Sequence, residues 1–512
     1  MARNKHLFFV VVLSFLALSS CNLHRKTGGG GGGGGGGNTG SVAVTIVADT
    51  LPANPSLLSF RVTIASIKFT TSSGTSTTVN LNPALSVDLM RLQSDTVFLG
   101  TFGSMPVAQY TSVTLVLSGN ANITFLNDTG ATLSGCASNN VCPLSVAASS
   151  NPVATVSYSV SQNLLTGIGI DLNFANAISI SSGSLVVNFS NNNVLSGFTL
   201  PRANSNLGTG QLDLIEDFTG VVSINSQSVI LASASATGRG SLTATAASGT
   251  IFDHDPSNSL CPTGTSQLSN CVANNQFASM DVILKSDGTL AVQEIEPLLA
   301  TAQDTVEGIV VSINPANQTQ FTMIVTDLVP LATNSLIGSL HIGDGLTVNL
   351  SGSVNPFLVD TKGLPVQSQF SSIFQNFFGQ TSTTAIHLGQ SIAVHVIAPF
   401  TAAAGTTIAS ASTDTVTLRW SRFTATPQTA ASPAFSIVNP PSYFAITQGT
   451  SITVQTTPGT PGTQGVTNFD GITDGTGLNL AANHPVALRA LFLQNAAGSA
   501  NPAYFAAKVR QH

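Results

Sequence analysis

Two short acidic clusters in this 512-residue chain carry residue types that can bind a metal ion. In the first, Asp253 and Asp255 flank His254, and carboxylates and imidazoles are common metal ligands. On an extended segment, however, successive side chains point to opposite sides, so the imidazole would point away from both acids. A solvated loop in which the two acids stabilise the histidine is the favoured interpretation, and a metal site at Asp253 and Asp255 is the weaker one.

In the second cluster, Asn468, Asp470 and Asp474 could offer oxygen atoms to Ca²⁺. Their spacing departs from that of an EF-hand loop. Two Asp-Gly turns account for the same residues. The sequence therefore predicts no cofactor and no metal centre, and it leaves Asp470 and Asp474, with the acids of the first cluster, as weak candidates for metal ligands.

The sequence contains neither a Gly-x-Ser-x-Gly nucleophile motif nor a His-Glu-x-x-His zinc motif. His387 and His395 have no carboxylate near them in the sequence, and we interpret both as strand residues. No catalytic residue is predicted.

Four of the five cysteines fall into two close pairs, Cys136 with Cys142 and Cys261 with Cys271. Each pair lies in a loop-like stretch, and each could close a small loop by a disulfide outside the cytoplasm. A four-cysteine zinc site is the alternative, but five and nine intervening residues exceed the spacing of most zinc knuckles. Two local disulfides are therefore predicted.

The fifth cysteine, Cys21, follows a positively charged start and the apolar stretch Leu7–Leu18. Twelve residues are too few to cross a hydrocarbon core, which requires about 20 helical residues, but they suit a signal peptide over residues 1–20. The run Leu18-Ser-Ser-Cys21 resembles the lipobox of bacterial lipoproteins. The resemblance implies that Cys21 carries acyl chains such as palmitate. An ordinary signal peptide that happens to be followed by a cysteine is the alternative.

Residues 21–40 are predicted to form the lipid anchor and a tether that includes ten consecutive glycines, Gly28–Gly37. The expected location is the cell envelope, with the body of the protein facing the periplasm or the cell exterior. By analogy with enterobacterial sorting, the absence of Asp directly after Cys21 favours the outer membrane.

The composition indicates an all-β protein. Only 7% of the residues are charged, against roughly 25% in a typical soluble domain. Short alternating strands rich in Val, Ile and Thr are separated by turn residues, which favours sandwiches or barrels. The formal net charge is −6, and no Lys/Arg cluster follows the tether, which excludes nucleic-acid binding.

Residues 41–200 are predicted to form a β-sandwich, with a bulge at Ala65-Ser66, where the apolar alternation changes phase. Four segments resemble the family called domain of unknown function 4382: Gly40–Asp49, Phe60–Ile64, Val87–Leu92 and Met105–Leu115. That resemblance implies a β-sandwich and no activity. We interpret Asp49 as a turn cap and Asp88 as a carboxylate bonded to backbone donors; ligand binding by either is the alternative.

An internal repeat follows a linker-like stretch. The segment Phe218–Asn225 contains Gly-Val-Val-Ser-Ile-Asn, and the segment Val306–Asn314 contains the similar run Gly-Ile-Val-Val-Ser-Ile-Asn. The first unit ends at Gly288–Ile295. This pattern resembles the family called domain of unknown function 5666. The predicted units are two small barrel-like repeats over 211–303 and 304–424, and a β-rich C-terminal unit over 425–512 that is a candidate third, diverged copy.

The second repeat contains one amphipathic stretch, in which apolar residues recur at helical spacing: Phe370, Ile373, Phe374, Phe377 and Phe378. This stretch predicts a short helix over 368–378. Three strands, a helix and two strands is the order of an OB-like barrel. The Phe stripe is expected to lie in the core, with membrane docking as the alternative.

The sequence favours a non-enzymatic, surface-tethered lipoprotein of unknown biochemical activity that acts as a binding or structural module. Its expected partners are the membrane, through the lipid anchor, and an envelope protein or a glycan. Trp420 continues an apolar strand phase and is expected in the core rather than in a sugar-binding platform. The alternative function is that of a hydrolase, or of an accessory subunit of an envelope enzyme, whose site residues converge only in the fold. A purely structural spacer is a third possibility.

Overall fold

The fold was analysed in a computed structural model. The described residues are 38–48, 56–147, 151–190, 193–200, 212–226, 228–233, 241–252, 271–284, 290–297, 304–330, 334–431, 434–459, 465–470, 485–494 and 503–511. All of them belong to one compact unit, Gly37–His512. This unit consists of an N-terminal sheet followed by three barrels, so the predicted all-β class with small barrel-like units is confirmed.

The N-terminal sheet has ten strands, and a separate two-stranded hairpin accompanies it. The strands of this region are β1 (Thr39–Ala48), β2 (Ser56–Thr71), β3 (Ser76–Asp88), β4 (Val97–Pro106), β5 (Ala108–Leu117), β6 (Asn120–Leu126), β7 (Val141–Ala147), β8 (Val153–Val160), β9 (Leu165–Leu172), β10 (Ile178–Ser181), β11 (Ser184–Val187) and β12 (Leu195–Thr199). A 3₁₀ helix (Leu89–Gln93) follows β3, and the one-turn helix α1 (Phe174–Ala177) follows β9. The sheet order is β4-β1-β9-β12-β8-β5-β2-β6-β7, β3 also pairs with β2, and β10 and β11 form the hairpin.

The sheet folds over on itself around one apolar core. Phe69 on β2 and Phe102 on β4 lie six places apart in the sheet order, yet their ring centroids are 5.8 Å apart. One contiguous cluster of buried side chains spans the region, from Val42 to Leu195. This is the sandwich-like arrangement that the alternating strand pattern predicts. The predicted bulge is also present, because the pairing register of β2 shifts between Ile64 and Ser66.

Each of the three barrels is closed by five strands, and barrels 2 and 3 each contain one additional short strand outside the closed ring. Barrel 1 contains β13 (Leu212–Asn225), β14 (Ser228–Ser233), β15 (Ser241–Phe252), β16 (Phe277–Leu284) and β17 (Leu290–Pro297). Barrel 2 contains β18 (Thr305–Ile313), β19 (Gln320–Val329), β20 (Gly345–Leu350), β21 (Leu358–Val359), β22 (Ser391–Thr401) and β23 (Ala409–Arg419). Barrel 3 contains β24 (Ser421–Ala431), β25 (Ala434–Val438), β26 (Ile452–Gln455), β27 (Asn468–Asp470), β28 (Val486–Leu493) and β29 (Ala503–Gln511).

The three barrels share one topology. In each, the closing strands follow the order first, second, third, fifth, fourth, and the third and fifth strands pair in parallel. The two segments that echo each other in the sequence occupy the first strands of barrels 1 and 2, β13 and β18. In barrels 2 and 3 an additional short strand, β21 or β27, pairs with the fifth strand. The described chain therefore contains three copies of the barrel, the larger of the two numbers that the sequence predicts.

The Phe-rich stretch of barrel 2 forms two single-turn helices, α2 (Val366–Gln369) and α3 (Ser371–Phe374), instead of one continuous helix. Phe370 separates them with non-helical backbone angles, φ −124° and ψ 37°, and its ring contacts Phe505 of barrel 3 at a centroid distance of 5.6 Å. Phe374 and Phe377 are buried in the core of barrel 2, and the other apolar members of the stripe pack against it. The stripe is therefore part of the core, as predicted.

The apolar cores cross the boundaries between these parts. Leu491, Leu493 and Phe505 of barrel 3 belong to the core cluster of barrel 2. Leu58, near the start of β2, lies in the core cluster of barrel 3 together with Ile309 of barrel 2. The end of the N-terminal sheet where β2 begins thus meets barrels 2 and 3, and we call this contact region the junction.

Candidate functional site

Most of the predicted site residues lie outside the described residues: Cys21, Asp49, Asp253, Asp255, Cys261 and Asp474. Asp470 ends β27, where its backbone pairs with that of Arg510. Within the described ranges, no three His, Cys, Asp or Glu side chains are grouped so as to hold a metal ion. The same part of the chain has no helix with the length and apolar character required to span a bilayer.

Cys136 and Cys142 form a disulfide, with their Cα atoms 6.0 Å apart. The predicted local pairing is confirmed for this pair, and its sulfur atoms are not available as zinc ligands. The bond ties the loop after β6 to β7, where Cys142 pairs with Phe125 of the neighbouring strand. Cys271 is disulfide-bonded as well. Because its partner lies outside the described residues, the pairing of Cys271 with Cys261 stays a prediction.

Barrel 2 brings together a histidine and a carboxylate that are remote in the sequence. His395 on β22 and Asp414 on β23 are joined by a hydrogen bond of 2.7 Å between Nδ1 and Oδ1. The strand ladder pairs His395 with Thr415 and Val396 with Thr413, which leaves Asp414 as the extra residue of a β-bulge. A bulge re-aims side chains locally, and here it lets the carboxylate reach the ring. Sequence spacing alone did not reveal this pair.

The His395–Asp414 pair can orient an imidazole, because a carboxylate bonded to one ring nitrogen fixes the ring in place. Both side chains are partly exposed, at 20% and 31% respectively. Thr415 Oγ1 donates to Asp414 Oδ1 at 3.1 Å, and Thr413 Oγ1 donates to the carbonyl oxygen of His395 at 2.7 Å. Since these hydroxyls are directed at the carboxylate and the backbone, a nucleophile would have to be a water molecule or part of a substrate.

His387 lies in the loop before β22, so its interpretation as a strand residue is wrong, whereas His395 does lie on a strand. The backbone N–H of His387 donates to the Gln390 side chain at 2.8 Å, which fixes a tight turn. Burial lowers the pKa of the His387 imidazole, because a less hydrated site disfavours the charged form.

Among the described residues, the largest group of ion-paired side chains is an alternating series of seven at the junction, which we call the charge ladder. Its order is Asp327, Arg91, Asp95, Arg422, Glu307, Arg419 and Asp360. Its tightest contacts are 2.5 Å between Arg91 Nη1 and Asp327 Oδ2, 2.5 Å between Arg422 Nε and Asp95 Oδ2, and 2.7 Å between Arg419 Nη1 and Asp360 Oδ2. Every carboxylate in the ladder thus contacts at least one guanidinium.

The charge ladder crosses three parts of the fold. Arg91 and Asp95 belong to the segment between β3 and β4 of the N-terminal sheet, Glu307 lies on β18 of barrel 2, and Arg422 lies on β24 of barrel 3. The side chains are largely desolvated: Arg419 is the most exposed, at 19%, and Asp360 the least, at 2%. Removing one partner from such a buried pair leaves an uncompensated charge, which costs about 3–5 kcal/mol. The ladder therefore makes the relative placement of the three parts specific.

A second buried guanidinium strengthens the same contact. Arg510 on β29 is 1% exposed. Its Nη1 donates to the carbonyl oxygens of Leu92, Gln93 and Asp95 at 3.3–3.4 Å, and its Nη2 donates to Thr96 Oγ1 at 3.1 Å. These carbonyls belong to the end of the 3₁₀ helix and the residues after it, where backbone acceptors lack partners within the helix. Arg510 therefore acts as a C-terminal cap supplied by another part of the fold.

Hydroxyl groups complete the junction. Ser56 Oγ, at the start of β2, donates to Asp128 Oδ2 at 2.8 Å, and Ser442 Oγ of barrel 3 donates to the same oxygen at 2.5 Å. The two hydroxyl oxygens are 2.9 Å apart. Such a serine–carboxylate cluster lacks the imidazole that activates a serine nucleophile. The arrangement is that of a structural bridge between the N-terminal sheet and barrel 3.

Asp88 has the backbone-capping role predicted for it. Its Oδ1 accepts hydrogen bonds from the backbone N–H groups of Phe60 at 2.9 Å and Met90 at 3.0 Å, so that it caps the 3₁₀ helix. Burial raises the pKa of the Asp88 carboxyl, and the two backbone hydrogen bonds oppose the shift. The side chain is 4% exposed, and its Oδ1 atom is hydrogen-bonded to the protein's own backbone.

Sequence reasoning did not identify the junction residues as functional. The available signal was the scarcity of charge, since 16 basic and 22 acidic residues in 512 are too few for an ordinary charged surface. Comparison with known proteins gives no match, either to a protein family or to a curated protein. The resemblances to domains of unknown function 4382 and 5666 therefore stay predictions.

Proposed function

We propose that this chain is a cell-envelope lipoprotein, anchored through acyl chains on Cys21, whose β-rich body serves as a rigid binding or structural module and not as an enzyme. The observation that carries the proposal is the position of the scarce charged side chains. Seven of them form the charge ladder, which binds the N-terminal sheet to barrels 2 and 3. Charge is thus used to hold the parts of the body in a fixed arrangement.

The lipid anchor is supported by the sequence alone. A short apolar segment, a Leu-Ser-Ser-Cys run and a polyglycine tether occur in that order before residue 38. Two or more acyl chains anchor a protein stably, because each buried methylene contributes about 0.8 kcal/mol. The outer membrane is the proposed location, and an envelope protein or a glycan is the proposed partner of the uncharged polar surfaces.

Metabolic labelling tests the anchor. Cells that express the full chain should incorporate radiolabelled palmitate into it, and a Cys21→Ala variant should carry none. The labelled wild type should enter the detergent phase of a Triton X-114 extract, whereas the variant should stay in the aqueous phase. Equal labelling of the two proteins would contradict acylation at Cys21.

The His395–Asp414 pair favours a hydrolase as the second candidate function. The purified chain and its His395→Gln variant should be compared on generic ester and glycoside substrates. We expect both proteins to show the same background rate, because the neighbouring hydroxyls bond to the carboxylate and the backbone. A turnover that the wild type shows and the folded variant lacks would instead identify His395 as a general base.

A further inference from the structure

One end of the N-terminal sheet differs from the rest of this region, and we call it the tether end, because the described chain begins there at Asn38. The turns at 106–108 and 161–164 contact the first residues of β1. Val107 N–H donates to the carbonyl oxygen of Asn38 at 3.0 Å, and Asn163 N–H donates to that of Thr39 at 3.0 Å. The turn between β2 and β3 lies at the same end, since Ser72 N–H donates to Gln109 at 2.9 Å.

The tether end exposes two large apolar side chains. Leu164 is 61% exposed, the largest fraction among the exposed large hydrophobic residues of the described chain, and Val107 is 42% exposed. Each lies on a turn that is hydrogen-bonded to the start of β1. Single exposed apolar side chains are common on protein surfaces, but these two lie on turns that flank the start of the same strand, so both are at the same end of the sheet.

Most of the described charged residues of the N-terminal sheet lie toward the junction, including the basic residues Arg61 and Arg91. The described turns at the tether end contain no charged residue. The described acidic residues of 38–200 all lie toward the junction: Asp88, Asp95, Asp128 and Asp171. An anionic lipid surface attracts basic side chains and repels acidic ones. The described turns of the tether end therefore present no acidic side chain that an anionic bilayer would repel.

We propose that the tether end faces the bilayer surface and that Leu164 and Val107 insert among the lipid headgroups. This inference rests on the proposed acylation of Cys21. As a random coil, the 16 residues between Cys21 and Asn38 would span roughly 20–24 Å, taking about 5–6 Å times the square root of the length. An acylated Cys21 therefore keeps this end, more than any other, within reach of the headgroups. The junction, with barrels 2 and 3, then points away from the membrane.

Quenching by brominated lipids tests this orientation. The reporter is Leu164→Trp, and the matched control is Val153→Trp at the other end of β8. Val153 is 51% exposed and, at about 3.3 Å per residue, lies ~23 Å along the strand from Val160 beside the tether end. The natural Trp420 is 1% exposed and provides a constant background in both proteins. Adding Val107→Glu to the reporter should reduce quenching by placing an acidic side chain at the insertion site.

The acylated chains, purified from host membranes, are placed on vesicles of phosphatidylethanolamine and phosphatidylglycerol with brominated acyl chains. We expect several-fold stronger quenching of the residue 164 reporter than of the residue 153 control. If both chains float with the vesicles and neither reporter is quenched, the proposed orientation is overturned while the anchor stands. That result would also be expected if the tether end docked on a protein.

A second arm separates this inference from the proposed function. Residues 1–20 are replaced by a hexahistidine tag in a Cys21→Ala background, and the chain is held on the same vesicles by a nickel-chelating lipid. Quenching at residue 164 and not at residue 153 would support the membrane-facing end even if palmitate labelling failed. Equal quenching, or none, at the two positions in this arm would overturn it.

Discussion

The strongest prediction from the junction concerns Arg422, the central member of the charge ladder. Its guanidinium contacts Asp95 of the N-terminal sheet at 2.5 Å and Glu307 of barrel 2 at 3.2 Å. In an Arg422→Met variant the side chain keeps much of its length and apolar contact but loses the charge. The variant isolates the electrostatic contribution of a residue that lies on barrel 3 and binds two other parts of the fold.

The expected cost follows from what the change leaves behind. Asp95, 4% exposed, would lose its ion pair at 2.5 Å but keep the contact with Arg91 at 3.9 Å and a hydrogen bond from Ser94 Oγ at 2.9 Å. Glu307, 10% exposed, would keep Arg419 at 3.5 Å. Breaking a buried ion pair from one side costs about 3–5 kcal/mol. Because both carboxylates keep a second, weaker partner, we expect a loss near the lower limit, about 3 kcal/mol.

Urea unfolding measures this loss. The fluorescence of Trp420, which is buried two residues before Arg422, reports on the junction, and far-ultraviolet circular dichroism reports on the strands as a whole. A double variant, Arg422→Met with Asp95→Asn, provides the matched control, because it also removes the carboxylate charge whose main partner the single variant loses. It should recover about 1–3 kcal/mol relative to the sum of the two single changes.

Salt provides an independent check. Exposed ion pairs are screened at high ionic strength, and buried pairs much less. The stability difference between wild type and Arg422→Met should therefore persist in 1 M NaCl. A single variant that unfolds within about 0.5 kcal/mol of wild type, with no coupling to Asp95→Asn, would refute the view that the ladder holds the parts together.

Three further predictions use the same urea assay. Asp88→Asn keeps an oxygen acceptor for two backbone N–H groups and should stay within about 1 kcal/mol of wild type at pH 7, whereas Asp88→Ala should lose about 2–4 kcal/mol. Burial raises the folded pKa of Asp88 above the unfolded value of 3.8, so the wild type should lose stability relative to Asp88→Asn as the pH rises through the folded pKa. Replacing Cys136 and Cys142 by Ser opens a loop with a sequence separation of 6, which should cost about 2 kcal/mol by loss of the chain-entropy constraint. The pKa of His387 is lowered in the fold, so the stability that its neutral form contributes is present above the unfolded pKa of 6.5 and is lost as the pH falls through the folded pKa. His387→Gln should therefore reduce the loss of stability between pH 7.5 and pH 5, and an unchanged dependence of stability on pH would contradict the burial argument.

Local patterns predicted the strands and the core well, because they depend on the alternation of side chains along each strand. The phase change at Ala65-Ser66 located a real bulge, and the phase of Val416 and Leu418 placed Trp420 in the core. The shared pattern in β13 and β18 identified two equivalent first strands. Barrel 3 has the same topology without that pattern, since strand order is fixed by pairing between residues remote in the chain.

The sites were harder to predict, because they are assembled by long-range contacts. His395 meets Asp414 only through a bulge on the neighbouring strand, and no sequence spacing encodes that geometry. Similarly, Arg422 and Asp95 are 327 positions apart in the chain. The continuous helix over 368–378 was predicted from apolar spacing alone. That spacing does not report the contact between Phe370 and Phe505, which lies beside the break between α2 and α3.

The distribution of charge connects the architecture to the proposed role. A chain with 7% charged residues has little electrostatic means of keeping its parts soluble and correctly arranged. Here seven charges are placed at the junction, where desolvation makes mispairing costly, and the outer strand faces rely on hydroxyl and amide groups. On β8 and β5, for example, Gln109 bridges Ser157 and Ser159 by hydrogen bonds of 2.8 and 2.5 Å. We expect a surface of this kind to bind uncharged polar partners with an affinity that depends little on salt, because no ion pair has to form. The described turns of the tether end contain no acidic residue. Charged side chains are thus concentrated at the end of the N-terminal sheet that contacts barrels 2 and 3, and the opposite end, which we propose faces the membrane, has none on its described turns.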